Sequence, residues 1–437
     1  MHINIPDSTL KRVVIIGCGF AGLELAMKLR KSNYQVIIID KNNYHQFQPL
    51  FYQVATAGLE PRDISFPIRK IFQKEHNIFI RITELQWIHP EKKTIETSMG
   101  NLHYDYLTLA MGANTSFFGM KNLQRYARPM KNVLESIELL NILLHNFEDA
   151  IVESDSDKRQ GLLNLVVVGG GPTGVEISGS LVEMKKYVLP KDYPELDCNR
   201  IRIILIEASP RLLNGMSEKS SKEAREYLIR MGVEVLTDTQ VKDYDGQTVF
   251  FNNHTPIDSN TVIWAAGIAG NKAPGLPESA LTRGNRIQVN RLNAIEEFDG
   301  IFVLGDLAYM TEESFPNGHP QVAQVAIQQA RNLARNLKSE LPQPQWKPFC
   351  YKDLGSMATI GRNKAVVDLP YVHFKGLFAW MVWMLIHLRS IFGLKNKIFI
   401  FINWVWNYIT YDQSLRLIFL PKQTPPKTIQ NQPIIEE

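Results

Sequence analysis

Cysteine is scarce in this 437-residue chain: Cys18, Cys198 and Cys350 stand far apart, and no C-x-x-C occurs. Their number and spacing exclude a disulfide framework, a thiolate metal site and the dithiol centre of a soluble disulfide reductase, so no metal is expected. Charge of one sign is also lacking. Forty-eight Lys and Arg stand against 44 Asp and Glu, a net of +4, and nothing global calls for nucleic acid as a partner. No uninterrupted apolar run reaches the roughly 20 residues that span a bilayer. The first residues, MHINIPDSTLKRVVIIG, enter a strand without the apolar segment and cleavage site of a secretory signal, which predicts a cytoplasmic body.

What is present is ordinary globular material. The 45% hydrophobic and 21% charged residues argue against both disorder and a polytopic membrane protein, and the length suits about three domains. Residues 11–40 read as a βαβ unit: an apolar β-branched run at 13–16, a glycine turn, a helical pattern at 21–30 and a second apolar run at 36–39. Parallel strands buried on both faces look like this. The same grammar returns at 163–207, so the fold class is α/β with two Rossmann-like dinucleotide-binding domains.

The first glycine loop, Gly17-Cys18-Gly19-Phe20-Ala21-Gly22, follows a strand, opens a helix, and has Asp40 closing the next strand 18 residues beyond Gly22. The first glycine permits the tight turn, the second lets backbone amides approach a pyrophosphate, and the third lets helix and strand pack, while the acid accepts from a ribose hydroxyl. A tight turn without ligand is the competing reading. The second loop, Gly169-Gly170-Gly171-Pro172-Thr173-Gly174, has Glu207 as its acid, 33 residues beyond Gly174, with the excess explained by the turn-rich insert 189–198. Glu207 accepts from a 2′-hydroxyl and repels a 2′-phosphate, which favours NADH over NADPH; Arg211 pulls the other way. Two nucleotide sites with no separate substrate domain imply electron traffic between a resident flavin and a nicotinamide. A strand at 301–304 ending in Gly305-Asp306 is expected to return to the first domain and set Asp306 against the flavin, with a helix N-cap aspartate as the alternative.

The motifs together resemble the type II NADH:quinone oxidoreductases, single-subunit, non-pumping members of the two-dinucleotide flavoprotein superfamily. The likeness rests on 40–58 (DKNNYHQFQPLFYQVATAG), 110–119 (AMGANTSFFG, with Met111 where Thr is frequent), 168–176 (VGGGPTGVE), 264–267 (WAAG), 304–306 (LGD), 323–329 (AQVAIQQ) and 357–366 (MATIGRNKAV), spread over about 11–420. A-Q-x-A-x-Q is its most diagnostic piece. The resemblance implies FAD held by Gly17, Gly19, Phe20, Ala21, Gly22, Asp40, Lys41, Gly112, Asp306, Ala323 and Gln324. It implies NADH held by Gly169, Gly171, Pro172, Thr173, Gly174, Glu207, Ala266 and Gly267. Glu176 takes an active-site role, against the bland reading of a first-turn acid complementing a helix dipole. Gln324 and Gln328, one helical turn apart on one face, are expected as catalytic groups that also touch the quinone, with Lys375 and Gly376 near the mouth of its tunnel. A solvated glutamine face is the alternative, and His45 is expected to be only a surface residue.

The expected order is an FAD-binding part over 1–120, a helical linker over 121–160, an NADH-binding domain over 161–285, an FAD-domain return over 286–345, a quinone-site and membrane-anchoring region over 346–420, and a flexible proline-bearing tail over 421–437. Residues 371–420 hold Lys375, Arg389, Lys395, Lys397 and Arg416 against Asp412 alone, together with four of the seven tryptophans. Apolar runs at 377–386 and 398–402, with basic residues in the break between them, suit two helices lying in an anionic leaflet. Helices buried in the core or between the subunits of a homodimer are the competing reading. The resemblance places the protein on the cytoplasmic face of the cell inner membrane, feeding electrons from NADH to a membrane quinone and a respiratory chain. A sulfide:quinone oxidoreductase, which needs redox cysteines this chain does not pair, is the alternative enzyme, and an NADH-responsive flavin-binding regulatory protein the alternative from another class.

Overall fold

The computed structural model describes residues 3–411 and 416–421; the tail expected at 421–437 lies, Pro421 apart, outside the described residues. The β-branched run of β1 (Lys11–Ile16) leads through the first glycine loop into α1 (Phe20–Leu29) and back to β2 (Tyr34–Asp40). β1 pairs in parallel with β2 on one side and Tyr106–Leu109 on the other, while Ile78–Ile82 and Ile301–Val303 complete the five-stranded sheet at its edges. Its inner positions Val13, Val14, Ile37 and Ile38 are wholly buried, the state of a parallel sheet covered on both faces. The strand at 301–303 therefore closes the first fold.

A short helix α2 (Phe51–Ala55) packs against the long α3 (Val133–Val152). Asn132 starts α3 by accepting from Glu135 N–H, the usual N-cap role, and Leu139, Leu143 and Phe147 bury its apolar face. The second sheet is parallel in the order Arg128–Pro129, Thr261–Trp264, β3 (Asn164–Val168), β4 (Arg202–Ile206) and Glu234–Leu236. The expectation of a linker over 121–160 is thereby corrected: Arg128–Pro129 is an edge strand of the second sheet and α3 is part of the core. The charge at 153–159 lies beyond that helix, in the turn that leaves it and the start of a short helix over Ser156–Leu163. α4 (Pro172–Glu183) follows the second glycine loop, and α5 (Glu218–Met231) lies between β4 and the fifth strand.

After α6 (Ala323–Lys338), an antiparallel sheet of β5 (Ser356–Gly361), β6 (Lys364–Asp368) and β7 (His373–Lys375) carries two helices, α7 (Leu377–Ser390) and α8 (Leu394–Thr410). β5 lies directly on α4. A Cβ on Gly179 would fall 1.8 Å from the Ile360 carbonyl oxygen, so only glycine permits this approach. Trp383, Ile391 and Ile400 share one core with the second fold. The helices break at 391–393, so Arg389 belongs to α7 and Lys395 and Lys397 to α8.

Candidate active site

The two glycine loops have one backbone geometry. Gly17 and its counterpart Gly169 have φ of +96° and +113°, the left-handed side that glycine tolerates. A Cβ on Gly22 would lie 1.8 Å from Gly17 O, and one on Gly174 would lie 1.8 Å from Gly169 O, so each helix rests on its own turn. Gly19 and Gly171 have no atom within 4 Å of an added Cβ; each borders open space at a helix N-terminus, where amide donors and positive potential suit a pyrophosphate. The acids match as well. Asp40 accepts from Cys18 N–H at 2.6 Å and Asn42 N–H at 2.8 Å, and Glu207 from Gly170 N–H at 2.6 Å and Ser209 N–H at 2.8 Å. Burial pushes the Asp40 carboxyl up, opposed by those two amides.

The loops differ in what surrounds them. The first faces a cavity of about 590 Å³ that Gly17, Gly19, Phe20, Ala21, Asp40, Lys41, Gly112, Asp306 and Ala323 line, a size suited to a cofactor. Lys131, which the sequence reading missed, meets Asp306 at 3.6 Å across it. Gln329, fully buried, accepts from Gly305 N–H at 2.7 Å and fixes the turn that presents Asp306. Glycines that leave room, the acid Asp40 and the lysines Lys41, Lys131 and Lys272 fit a resident dinucleotide. At the second loop Pro172, Thr173 and Ala266 are exposed, and the Phe118 ring lies over Gly267, 2.4 Å from where a Cβ would sit. Arg211 turns away from Glu207 onto Asn214, at 3.3 Å from both its side-chain and main-chain oxygens.

Glu176 lies elsewhere, in a cavity of about 100 Å³ between α2, α4, β5, α7 and α8. Burial pushes its carboxyl up to about 8, against the Thr359 N–H and the nearby Trp383 indole. The indole nitrogen is itself enclosed without a regular hydrogen-bond partner. Trp404 donates to Gln53 Oε1 at 2.9 Å, and Gln53 donates to the Tyr52 hydroxyl at 2.8 Å, so a polar chain runs from α8 to the cavity wall.

The pyridine nucleotide-disulphide oxidoreductase family matches residues 11–330, and the NDH2 C-terminal domain matches 354–410. The type II NADH:quinone oxidoreductase Ndh of Mycobacterium tuberculosis is 34% identical over 414 residues, covering 91% of this chain and 88% of that protein. This chain belongs to the type II NADH:quinone oxidoreductase family. The Staphylococcus saprophyticus type II NADH:quinone oxidoreductase is 29% identical over 398 residues, 88% of this chain and 96% of that one. Plasmodium falciparum NDH2, solved with NADH, shares the fold at a TM-score of 0.84 and 21% identity, over 92% of this chain and 99% of that one.

Within this type II oxidoreductase, several expected site residues fall outside the two cavities. The Gln324 carboxamide donates to Gly355 O at 3.1 Å and accepts from Leu354 N–H at 3.0 Å; that of Gln328 donates to Lys352 O at 2.8 Å and accepts from Lys352 N–H at 3.0 Å. Both therefore read as a pair of clamps on the backbone of 352–355, neither a solvated face nor free donors. Neither lines the cavity beside the first loop, where Gln321 and Ala323 do. Lys375 and Gly376 are likewise away from Glu176: Lys375 Nζ pairs with Glu223 at 2.9 Å and Gly376 caps α7, because β7 turns their side toward α5. His45, expected at the surface, is buried, with Nδ1 2.9 Å from Cys18 O and its ring between Phe20 and Phe66; burial pushes its pKa down. Glu183, Arg362 and Trp383 were missed. The spacing of Glu176, Ser180 and Glu183, one helical face, was the available signal.

Proposed function

We propose that NADH on the second glycine loop passes electrons to FAD in the first cavity, and that the quinone is reduced beside Glu176. Residues 44–58 carry this reading. They wall the dinucleotide cavity with Tyr44, His45, Gln46 and Gln48, and the Glu176 cavity with Tyr52, Gln53 and Gly58, so the two sites share a partition. The protein is an FAD enzyme that oxidises NADH and reduces quinone. FAD, when bound, supplies the two-electron acceptor that separates the two half-reactions.

The chain's own residues do the rest. Amides of 17–22 and the N-terminus of α1 hold the FAD pyrophosphate, Asp40 takes the ribose hydroxyl, and Lys131 with Asp306 closes the far wall. Pro172, Thr173 and Ala266 leave the NADH loop open to exchange, and Glu207 takes the second ribose. Glu176 holds a proton at neutral pH because burial disfavours its charge, and gives it to a quinone oxygen; the Thr359 N–H steadies the carboxylate that remains. Trp380, Trp383 and Trp404 offer flat apolar walls to a quinone ring. Gln324 and Gln328 act as positioning residues through 352–355.

The quinone's isoprenoid tail lives in lipid, and the outer face of α7 and α8 suits it. Leu385, Ile409 and Trp406 are 68%, 71% and 58% exposed, a concentration that marks a lipid or partner surface. No described helix is long and apolar enough to cross a membrane. We place this face in an anionic leaflet on the cytoplasmic side of the inner membrane, with Arg389, Lys395 and Lys397 at the headgroups; a second copy of the chain is the competing occupant. Leu385→Glu with Ile409→Glu is expected to release the protein from anionic vesicles with its flavin retained, and continued sedimentation with the vesicles would contradict the lipid assignment.

The reaction itself is tested anaerobically. NADH is expected to bleach the oxidised-flavin absorbance, and a short-chain benzoquinone to restore it. Bleaching without recovery would sink the quinone assignment, and no bleaching the NADH assignment.

A further inference from the structure

We propose that Glu183 is a second proton station, which reloads Glu176 through the cavity after each quinone is reduced. The inference rests on the reading that quinone is reduced beside Glu176. The balanced reaction is NADH + H⁺ + quinone → NAD⁺ + quinol. Hydride loss from NADH accounts for both electrons and one hydrogen, so one proton per turnover comes from solvent. If Glu176 delivers it, each turnover leaves a carboxylate at a position that burial makes hostile to charge, and a neighbour must restore the proton.

Glu183 is placed for that task. It is seven residues along α4, about 10 Å at 1.5 Å per residue, on the face that carries Glu176 and Ser180, and all three line one cavity of about 100 Å³. A volume of that size admits several waters. The Thr56 hydroxyl donates to Tyr52 O at 2.9 Å and lies 2.7 Å from Ser180 Oγ, so Ser180 donates to Thr56 and keeps its lone pairs for water between the two acids. Glu183 Oε1 accepts from the Arg362 N–H. Gly361 leaves the carboxylate space, since a Cβ there would lie 3.0 Å from that oxygen.

The surroundings grade the two acids. Facing Glu183 are Arg362 and Lys364 from the β5–β6 hairpin, Tyr52 from α2 and Glu176 from its own helix, with Met231 from α5. Among the described residues lining the cavity, α7 and α8 contribute no charged side chain, and Tyr408 is their titratable group. Burial pushes Glu183 up, but Arg362 and Lys364 oppose it, whereas no cation opposes the rise at Glu176. Arg362 marks the outer end: its guanidinium donates to the carbonyls of Asn407 and Tyr408 and stacks 3.6 Å from the Tyr411 ring, where α8 ends. A proton thus enters at the charged end and moves toward the uncompensated one.

The test uses FAD-loaded Glu183→Gln, which keeps the acceptor for the Arg362 N–H and removes only the proton. Stopped-flow mixing with NADH is expected to give wild-type flavin reduction. The first reoxidation by a short-chain benzoquinone should match wild type, because Glu176 starts loaded, while steady-state turnover falls by about tenfold, less than the roughly 100-fold or more that losing the group in contact with the substrate costs, because water still reloads Glu176 slowly. Glu176→Gln should slow the first reoxidation itself, and the double variant should be no slower than Glu176→Gln, because the acids act in series. Glu183→Asp should recover part of the turnover and shows that the position tolerates change. Wild-type turnover and pH profile in Glu183→Gln would overturn the inference alone, as would equal slowing of the first and later turnovers. Failure of quinone to reoxidise the wild-type flavin would overturn the underlying reading as well.

Discussion

The two dinucleotide folds have the same turn, the same helix-on-turn contact and the same acid-to-amide hydrogen bond, yet one loop opens into a walled, half-open cavity of about 590 Å³ and the other onto exposed Pro172 and Thr173. On the proposed assignment, one backbone geometry serves a resident FAD in the first loop and an exchanging NADH in the second. The enclosure comes from segments distant in sequence: the return strand with Asp306, the start of α6 at Ala323, and Lys131. A resident cofactor needs such walls; a substrate that leaves as NAD⁺ each turnover needs their absence.

The largest effects that can break this comparison are at the third glycines. Gly22→Ala and Gly174→Ala each drive a methyl group to 1.8 Å from a carbonyl oxygen. Gly22→Ala is expected to yield protein without flavin absorbance, while Gly174→Ala keeps its flavin but loses more than about 100-fold in its rate of reduction by NADH, the scale of a displaced binding element. Flavin loss from both, or from neither, would mean that the loops are not divided as described.

Glu207→Ala sharpens the same point at lower cost to the enzyme. The loss of a hydrogen bond to a charged group, about 1.5–3 kcal/mol, should raise the KM for NADH by about tenfold or more and narrow the preference over NADPH. Unchanged selectivity would remove Glu207 from the ribose site. A smaller effect is expected at Phe118, whose exposed ring covers Gly267: Phe118→Ala should change the KM for NADH by about threefold, under 1 kcal/mol, and leave quinone reoxidation of the flavin untouched.

The glycine loops, their acids and the returning strand at 301–303 were legible because each is a local pattern with a mechanism behind every residue. Glu176 was legible as a residue but not as a place. Its cavity exists because Gly179 lets β5 lie on α4, an approach between segments 180 residues apart that no local pattern records. Gln324 and Gln328 were read correctly as one face, but the backbone of 352–355 that occupies it lies 24 to 31 residues further on, outside the reach of a helical pattern. His45 looked superficial because loop position says nothing about burial once a glycine turn folds over it. Lys131 pairs with Asp306 and Arg362 gives its backbone N–H to Glu183, partners that come from other parts of the chain.

The smallest prediction concerns stability. Glu176 binds its proton more tightly in the fold, with its pKa moved from 4.5 to about 8, so its favourable contribution is complete below the lower value and is lost as pH rises toward the upper. Glu176→Gln should therefore melt about 1–2 °C above wild type at pH 8, a shift of the size that about 1–2 kcal/mol produces in a chain of this length, and the gap should narrow toward pH 5. A gap independent of pH would place the carboxyl in water.

The central claim is that quinone is reduced beside a protonated Glu176, and the pH dependence of flavin reoxidation by quinone in a single turnover tests it most directly. The account predicts a rate that is constant at low pH, falls above about 8 as Glu176 ionises, and becomes slow and flat in Glu176→Gln. A profile shared by wild type and Glu176→Gln would contradict it.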